Sequence, residues 1–259
     1  MLKHEKIVVS LTSFPGAICY AIEAIRSILQ GSLLPYKLVL YLTFSQFKEV
    51  SIPTELIQMQ QDYDCFEIKD YPQDIRSYRK LIPALRDFPD ATIVTIDDDV
   101  KYDREMLADI IKVHQSYPNA VIANRAKVIN LEKPYRKWKK LRWYNFIVKR
   151  IKISPLIIQT GVGGVLYPPH SLNPEMLKEC LFTEIAPTTD DLWFWAAAIT
   201  NGRTVIPVPF GPHNKPKELG KPKELSLKSV NFKSGANRND VSFKAILEKY
   251  PEIEKLLEP

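Results

Sequence analysis

The sequence predicts an α/β fold with a mostly parallel central sheet and helices on both of its faces. Three observations predict it. Short β-branched apolar runs recur through the first half of the chain, and amphipathic helix-length segments separate them. Strands joined by helices build βαβ units, whose crossovers cover both faces of a parallel sheet. A hydrophobic share of 45% and a charged share of 25% over 259 residues supply enough apolar material for a substantial core.

Residues 6–12 (KIVVSLT) form the first compact strand pattern. Pro15 then opens a helix to about Gln30, with Ile18, Ile22, Ile25 and Leu29 on one face and Gly31 as its stop. Residues 37–43 (KLVLYLT) predict a second strand, 52–61 a short helix, 65–69 a third strand and 77–86 a helix. Residues 91–96 (ATIVTI) are a fourth strand ending in Asp97-Asp98-Asp99, followed by a helix over 103–117 capped by Asp103. The second half is less regular. Strands are predicted over 120–129, 162–167 and 204–208, and helices over 173–180, 188–200 and 240–250. Composition shows no linker, so a single domain is expected, with a nucleotide-binding half over about 1–117 and an acceptor-side half beyond it.

Twenty Pro against nine Gly suggest rigid loops rather than disorder. Three widely spaced cysteines (Cys19, Cys65, Cys180) without a CxxC pair argue against a disulfide framework or a structural zinc site. No apolar run is long enough to span a membrane, and the start of the chain runs directly into a strand, so a cytoplasmic protein is expected. The formal charge of +6 is concentrated: residues 133–152 hold nine Lys or Arg, no acid, and Tyr135, Trp138, Trp143, Tyr144 and Phe146. That mixture suits an anionic membrane surface at which the protein would sit peripherally; the bland alternative is a solvated helix with core aromatics. No RNA-binding motif accompanies it, and no nucleic-acid partner is expected.

The acid triplet carries the most chemistry. In an open α/β sheet, ligands bind in the crevice beyond the carboxyl ends of the strands, and Asp97–Asp99 stand there. If the strand continues, Asp97 and Asp99 share one face about 7 Å apart, with Asp98 turned away. Three adjacent anions repel, and a divalent cation would relieve them. All-oxygen ligands suit Mg²⁺ or Mn²⁺, which takes substrate phosphate oxygens and water as further ligands.

An apolar strand ending in this carboxylate motif resembles the GT-A class of nucleotide-sugar-dependent glycosyltransferases. Four other segments resemble the bacterial capsule and lipopolysaccharide sugar transferases of that class. They are VVSLTSFPGAI at the first strand and nucleotide loop, SYRKLIPAL (77–85) before the metal-binding strand, VGGVLYPP (162–169) on the acceptor side and TTDDLWFW (188–195). The resemblance covers most of residues 6–250. It implies a Mn²⁺ or Mg²⁺ cofactor, a nucleoside-diphosphate sugar donor (UDP by default) and a glycan or lipid-linked acceptor, with inversion at the anomeric carbon.

Residue by residue, the resemblance implies that Asp97 holds the ribose and reaches the metal, and that Asp99 binds the metal. Asp98 joins the nucleotide-binding set without a defined role. Thr12, Ser13 and Phe14 would face base and ribose, the alternative being a helix cap before Pro15. Arg76, Arg79 and Lys80 would neutralise the diphosphate, with Lys80 the best match to the pattern. Asp191 would be the base that takes the acceptor's proton and Asp190 would orient it, the alternative for both being a capping role at a helix start. His213, in FGPHN, would add a late metal ligand. The tandem KPKELG-KPKELS (215–226) reads as a mobile flap over bound donor.

Rival classes are weaker fits. A haloacid-dehalogenase-type phosphatase carries its acid motif near the chain start with Thr or Val two residues on, where Lys101 stands here. A nucleotidyltransferase needs a Gly-rich N-terminal loop, and residues 10–16 read SLTSFPG. A non-catalytic sugar- or lipid-binding module would have no need of all of Asp97, Asp99, Asp190 and Asp191.

Overall fold

A computed structural model describes residues 5–141, 154–209, 216–225 and 237–257. In chain order the elements are β1 (Ile7–Thr12), α1 (Ile18–Leu29), β2 (Lys37–Leu42), α2 (Thr54–Asp62), β3 (Phe66–Asp70), α3 (Ile82–Asp87) and β4 (Thr92–Thr95). There follow β5 (Val100–Lys101), α4 (Met106–Ser116), β6 (Val121–Ala123), β7 (Ala126–Val128), β8 (Lys139–Lys140), β9 (Ile157–Gln159) and β10 (Val165–Tyr167). The remainder comprises α5 (Glu179–Ile185), α6 (Asp190–Thr200), β11 (Val205–Pro207), β12 (Lys217–Glu218), α7 (Arg238–Lys249) and α8 (Glu252–Leu257).

Among these, seven strands form the central sheet in the order β11-β6-β10-β4-β1-β2-β3. Every pairing is parallel except those of β10, which runs antiparallel to both β4 and β6. Side chains alternate between two cores, as a strand period of two requires. Val8, Val39, Tyr41, Ile93, Val121, Val165 and Val205 face one core, which α3, α5, α6, α7 and α8 cover. Val9, Leu38, Leu40, Val94, Ile122, Leu166 and Ile206 face the other, under α1, α2 and α4. Helices on both faces of a mostly parallel sheet is the architecture the sequence predicts.

Several local expectations are corrected. The strand expected over 120–129 breaks at Asn124, whose N–H donates to Gly164 O (3.2 Å) and whose side-chain amide donates to Gly163 O (3.0 Å). Beyond the break β7 leaves the central sheet and pairs with β8 and β9 in a separate three-stranded sheet. The helix expected over 77–86 is a tight 3₁₀ turn (Arg76–Lys80) followed by the short α3, which starts after the turn with Pro83 in its first positions. Asp103 does not cap α4 directly. Its carboxylate accepts the Glu105 N–H one turn earlier, and Glu105 is the residue that precedes the helix.

Candidate active site

The crevice at the carboxyl end of β4, β1 and β2 opens into a cavity of about 1210 Å³. Among the stretches that reach it are four that carry the expected site residues: the loop after β1, the 3₁₀ turn of residues 76–80, the acid triplet and the start of α6.

The triplet is not part of a strand. β4 ends at Thr95 and the chain turns, with the Asp97 N–H donating to the Tyr102 hydroxyl (2.8 Å). The face-sharing expected of Asp97 and Asp99 therefore does not hold, because alternation stops with the strand. Asp98 turns inward instead: it is 7% exposed, accepts the Ser13 hydroxyl at 2.5 Å and pairs with Lys221 at 3.0 Å. Burial pushes its pKa up, while Lys221 and the Ser13 hydroxyl pull the other way. Asp99 shares the same cation, its Oδ2 lying 2.9 Å from Lys221 Nζ. Burial alone would lower the Lys221 pKa, but Asp98 and Asp99 outweigh it and raise it.

Asp97 looks the other way, toward Lys80. Lys80 Nζ lies 2.9 Å from Asp97 Oδ1 and 2.9 Å from Asp190 Oδ2, so one ammonium ties the triplet to the start of α6. Burial would lower the Lys80 pKa, and Asp190, Asp97 and Asp191 together drive it well above the ordinary lysine value. Asp190 also accepts the Ser77 hydroxyl at 2.8 Å.

Asp191 has different surroundings. Its Oδ1 accepts the Gly161 N–H at 3.0 Å, its backbone carbonyl accepts the Gln159 side-chain amide at 3.0 Å, and it makes no ion pair among the described residues. Burial, and then Asp190, push its carboxyl up to about 7, a range suited to a proton acceptor. The helix behind both acids is rigid. From Leu192 to Ile199 every residue of α6 is buried, and the indoles of Trp193 and Trp195 donate to Met176 O and Pro155 O. Thr189 precedes the helix without a side-chain capping bond, so the two acids, at the positive helix end, compensate the first turn themselves.

The loop after β1 is held from below by Arg79, a residue 2% exposed. Its guanidinium donates to the Thr12 hydroxyl (2.8 Å), to Ser13 O (3.2 Å) and to the Thr43 hydroxyl. Thr12 in turn donates to Tyr41 O at 2.9 Å. Thr12, Ser13 and Arg79 thus use their polar groups to fix the loop, which leaves Phe14 and Arg76 as the less committed members of the wall. Arg76 is exposed and adopts φ 53°, a left-handed backbone that costs a non-glycine residue roughly 1–3 kcal/mol and gathers at functional sites.

Two contributors were not visible in the sequence patterns. Gly161 sits where the acids converge: a Cβ there would lie 2.8 Å from Lys80 Nζ, 3.2 Å from Asp191 Oδ1 and 3.4 Å from Asp97 Oδ1. Lys221 comes from the tandem segment, where β12 pairs antiparallel with β5 and the Leu219 N–H donates to Asp99 O. The expected flap is therefore laid across the triplet, and Leu225 reaches Gly16 on the opposite rim.

His213, Trp143, Tyr144 and Phe146 lie outside the described residues. Trp138 is corrected as a membrane contact: it is 4% exposed, donates its indole N–H to Asn130 O and Lys133 O, and packs on Tyr135 and Phe243. No helix among the described residues is long and apolar enough to cross a membrane.

Among the described residues no three His, Cys, Asp or Glu side chains gather around one point. Asp98 and Asp99, however, already converge on a cation, the Lys221 ammonium. Two carboxylates completed by substrate oxygens and water match how Mg²⁺ and similar ions are held.

No family model matches the chain, and no curated protein matches it. Among solved structures, the chain is similar to the mannosyltransferase PcManGT from Pyrobaculum calidifontis, determined in complex with GDP-Man and Mn²⁺. The TM-score is 0.58 at 15% identity, over 98% of this chain and 70% of that one. Weaker similarities are to S. aureus TarS 1-349 (TM-score 0.47, 14% identity, 78% of this chain and 58% of that one) and to 4-diphosphocytidyl-2C-methyl-D-erythritol synthase (0.48, 11%, 87% and 96%). At these identities the likeness concerns the fold alone, a mostly parallel seven-stranded sheet flanked by helices in the GT-A arrangement.

Proposed function

We propose that the chain is a glycosyltransferase that moves a sugar from a nucleoside-diphosphate sugar to a hydroxyl of a glycan or lipid-linked acceptor, with inversion, in the building of a surface polysaccharide. The observation that carries this reading is the Lys80 bridge. It places the acids after β4 and those opening α6 in one cavity, so a group bound at the first can be attacked from the second.

Phe14, Arg76 and the Arg79-braced loop would form the donor wall. Asp98 and Asp99 would hold a Mg²⁺ or Mn²⁺ ion, whose chemistry is to neutralise charge on the departing diphosphate. Lys80 keeps Asp190 and Asp97 in fixed positions. Asp191, anchored by Gly161, accepts the proton of the acceptor hydroxyl as that oxygen attacks the anomeric carbon on the face away from the diphosphate. A direct single displacement of this kind inverts the anomeric centre.

The test is a thermal-shift screen of UDP- and GDP-sugars and their nucleoside diphosphates with and without Mn²⁺. Stabilisation by a nucleoside diphosphate that requires metal, and that is lost in Asp99→Ala, is expected. Equal stabilisation without metal, or uptake of nucleotide and manganese unchanged in Asp99→Ala, overturns the metal-assisted reading. Release of a product that keeps the donor's anomeric configuration removes Asp191 from the base role.

A further inference from the structure

Two buried lysines and one half-buried lysine line this cavity, and two of the three have carboxylate partners. Lys80 lies between Asp97 and Asp190, and Lys221 between Asp98 and Asp99. Lys127, on β7, is 8% exposed and makes no ion pair among the described residues. Its ammonium sits 3.5 Å over the Tyr135 ring and 3.4 Å from Tyr135 O. Around it are more cations. Lys140 stands directly opposite Lys127 in the antiparallel β7–β8 ladder, where like charges are unfavourable. Arg125, Arg136 and Arg238 line the same cavity and have no ion pair among the described residues. Burial, then Arg125 and Lys140, push the Lys127 pKa down to about 8, and Asp191 and Asp240 oppose that only in part. Asp240 already accepts the Tyr135 N–H at 2.6 Å.

Folding gains nothing from gathering cations on one wall and burying one of them without a counter-charge. A bound anion supplies the missing charge. The wall belongs to the region of the β8-β7-β9 sheet and the start of α7, whereas the loop after β1 and the acid triplet follow strands of the central sheet. Gln159 of β9, whose neighbour in the ladder is Ala126, also fixes the Asp191 backbone. The wall is therefore placed beside the group that enters the reaction rather than beside the departing diphosphate. Five cations outnumber the acids beside them, Asp240 being already engaged by the Tyr135 N–H; that excess suits a dianion, and the planar forks of the arginines match phosphate oxygens.

We infer that the Arg125–Lys127–Lys140 wall, with Arg136 and Arg238, is a phosphate-binding subsite that selects an acceptor carrying a phosphate group next to the hydroxyl to be glycosylated. The acceptor role rests on the sugar-transfer reading of the cavity; the anion site itself does not.

The experiment is calorimetry with glucose 1-phosphate, with glucose as the uncharged control, on the parent chain, Lys127→Met and Arg136→Glu. Lys127→Met keeps the apolar stem in its buried place, and Arg136→Glu changes an exposed residue, so one variant stays informative if the other fails to fold. A melting curve reports folding for both. Glucose 1-phosphate is expected to bind where glucose does not, and to weaken at least tenfold in each variant, while nucleoside diphosphate with Mn²⁺ binds unchanged. Sedimentation with phosphatidic acid vesicles against phosphatidylcholine vesicles separates the sources. Lys127-dependent vesicle binding supports a lipid-borne phosphate, and Lys127-dependent binding of the sugar phosphate alone supports a glycan-borne one. Phosphate binding that both variants leave unchanged overturns the inference, as does a loss of nucleoside diphosphate binding in Lys127→Met without loss of sugar phosphate. A chain that takes sugar phosphate at Lys127 but no nucleoside diphosphate sinks the transfer reading and leaves the phosphate site standing.

Discussion

Gly161 donates its N–H to Asp191 at 3.0 Å while its α-carbon faces the Lys80 ammonium, leaving no room for a methyl group between them. Lys80 cannot step aside freely, because carboxylates hold it on two sides. Gly161→Ala is expected to break one arm of that bridge and shift Asp191. Overpacking of this kind costs about 1–3 kcal/mol, and a shift at the base is expected to lower kcat roughly tenfold or more. Urea unfolding and single-turnover rates on the same preparation read the two effects.

Removing the bridge itself has a larger structural effect. Lys80→Met leaves Asp97 and Asp190 facing each other without a counter-ion in a site where both the lysine and Asp190 are largely buried. Breaking a buried pair by deleting one partner costs about 3 kcal/mol or more. The expected outcome is a melting temperature several degrees lower, partly restored in the double variant Lys80→Met/Asp190→Asn. Additive losses in that pair would show that the two residues are not coupled.

The raised Asp191 carboxyl makes a signed statement about pH. Its pKa is 3.8 in the unfolded chain and about 7 in the fold, so the folded state disfavours the ionised form. The stability penalty is full above pH 7 and shrinks as pH falls toward 4. Asp191→Asn keeps an oxygen for the Gly161 N–H and removes the charge. It is expected to be more stable than the parent at pH 8, by on the order of 1 kcal/mol, with the gap closing in acid. In the parent, kcat/KM is expected to rise with pH through about 7 as the carboxyl ionises, and the Asn variant loses that rise along with the activity.

Lys221 and a divalent ion seek the same two carboxylates. Lys221→Met is expected to bind Mn²⁺ without nucleotide roughly threefold or more tightly than the parent, since the competing ammonium is gone. Titration followed by the electron-spin signal of free Mn²⁺ measures this directly. Weaker binding in the variant would mean that Lys221 organises the acid pair rather than competing for it.

The sheet was legible because its strands are buried on both faces. Runs such as IVVSLT and KLVLYL have no other use, and the helices between them set parallel pairing. The acid triplet and the two acids opening α6 were legible as residue types in the right places. Their orientations were not: period-two reasoning stops where β4 stops, and it is the turn that sends Asp98 inward and Asp97 toward Lys80. Lys221 was hidden for a different reason, since the contact with Asp98 spans 123 residues and lies in a Pro- and Lys-rich repeat that reads as solvated. Lys127 sat within one apparent strand, and only the break at Asn124 carries it to the cavity. For Gly161, a glycine before an apolar run carried no sign that three charged side chains would meet at its α-carbon.

The short ladder between β12 and β5 has a consequence for how the protein matures. The ammonium that neutralises Asp98 and Asp99 is made more than a hundred residues after them, so a nascent chain on the ribosome carries a bare anionic turn until its last quarter emerges. Truncation before residue 216 would leave the acidic turn uncovered and would also strip α7 and α8 from the core face they cover, so the closing of the site and the completion of the core wait on the same last stretch of chain.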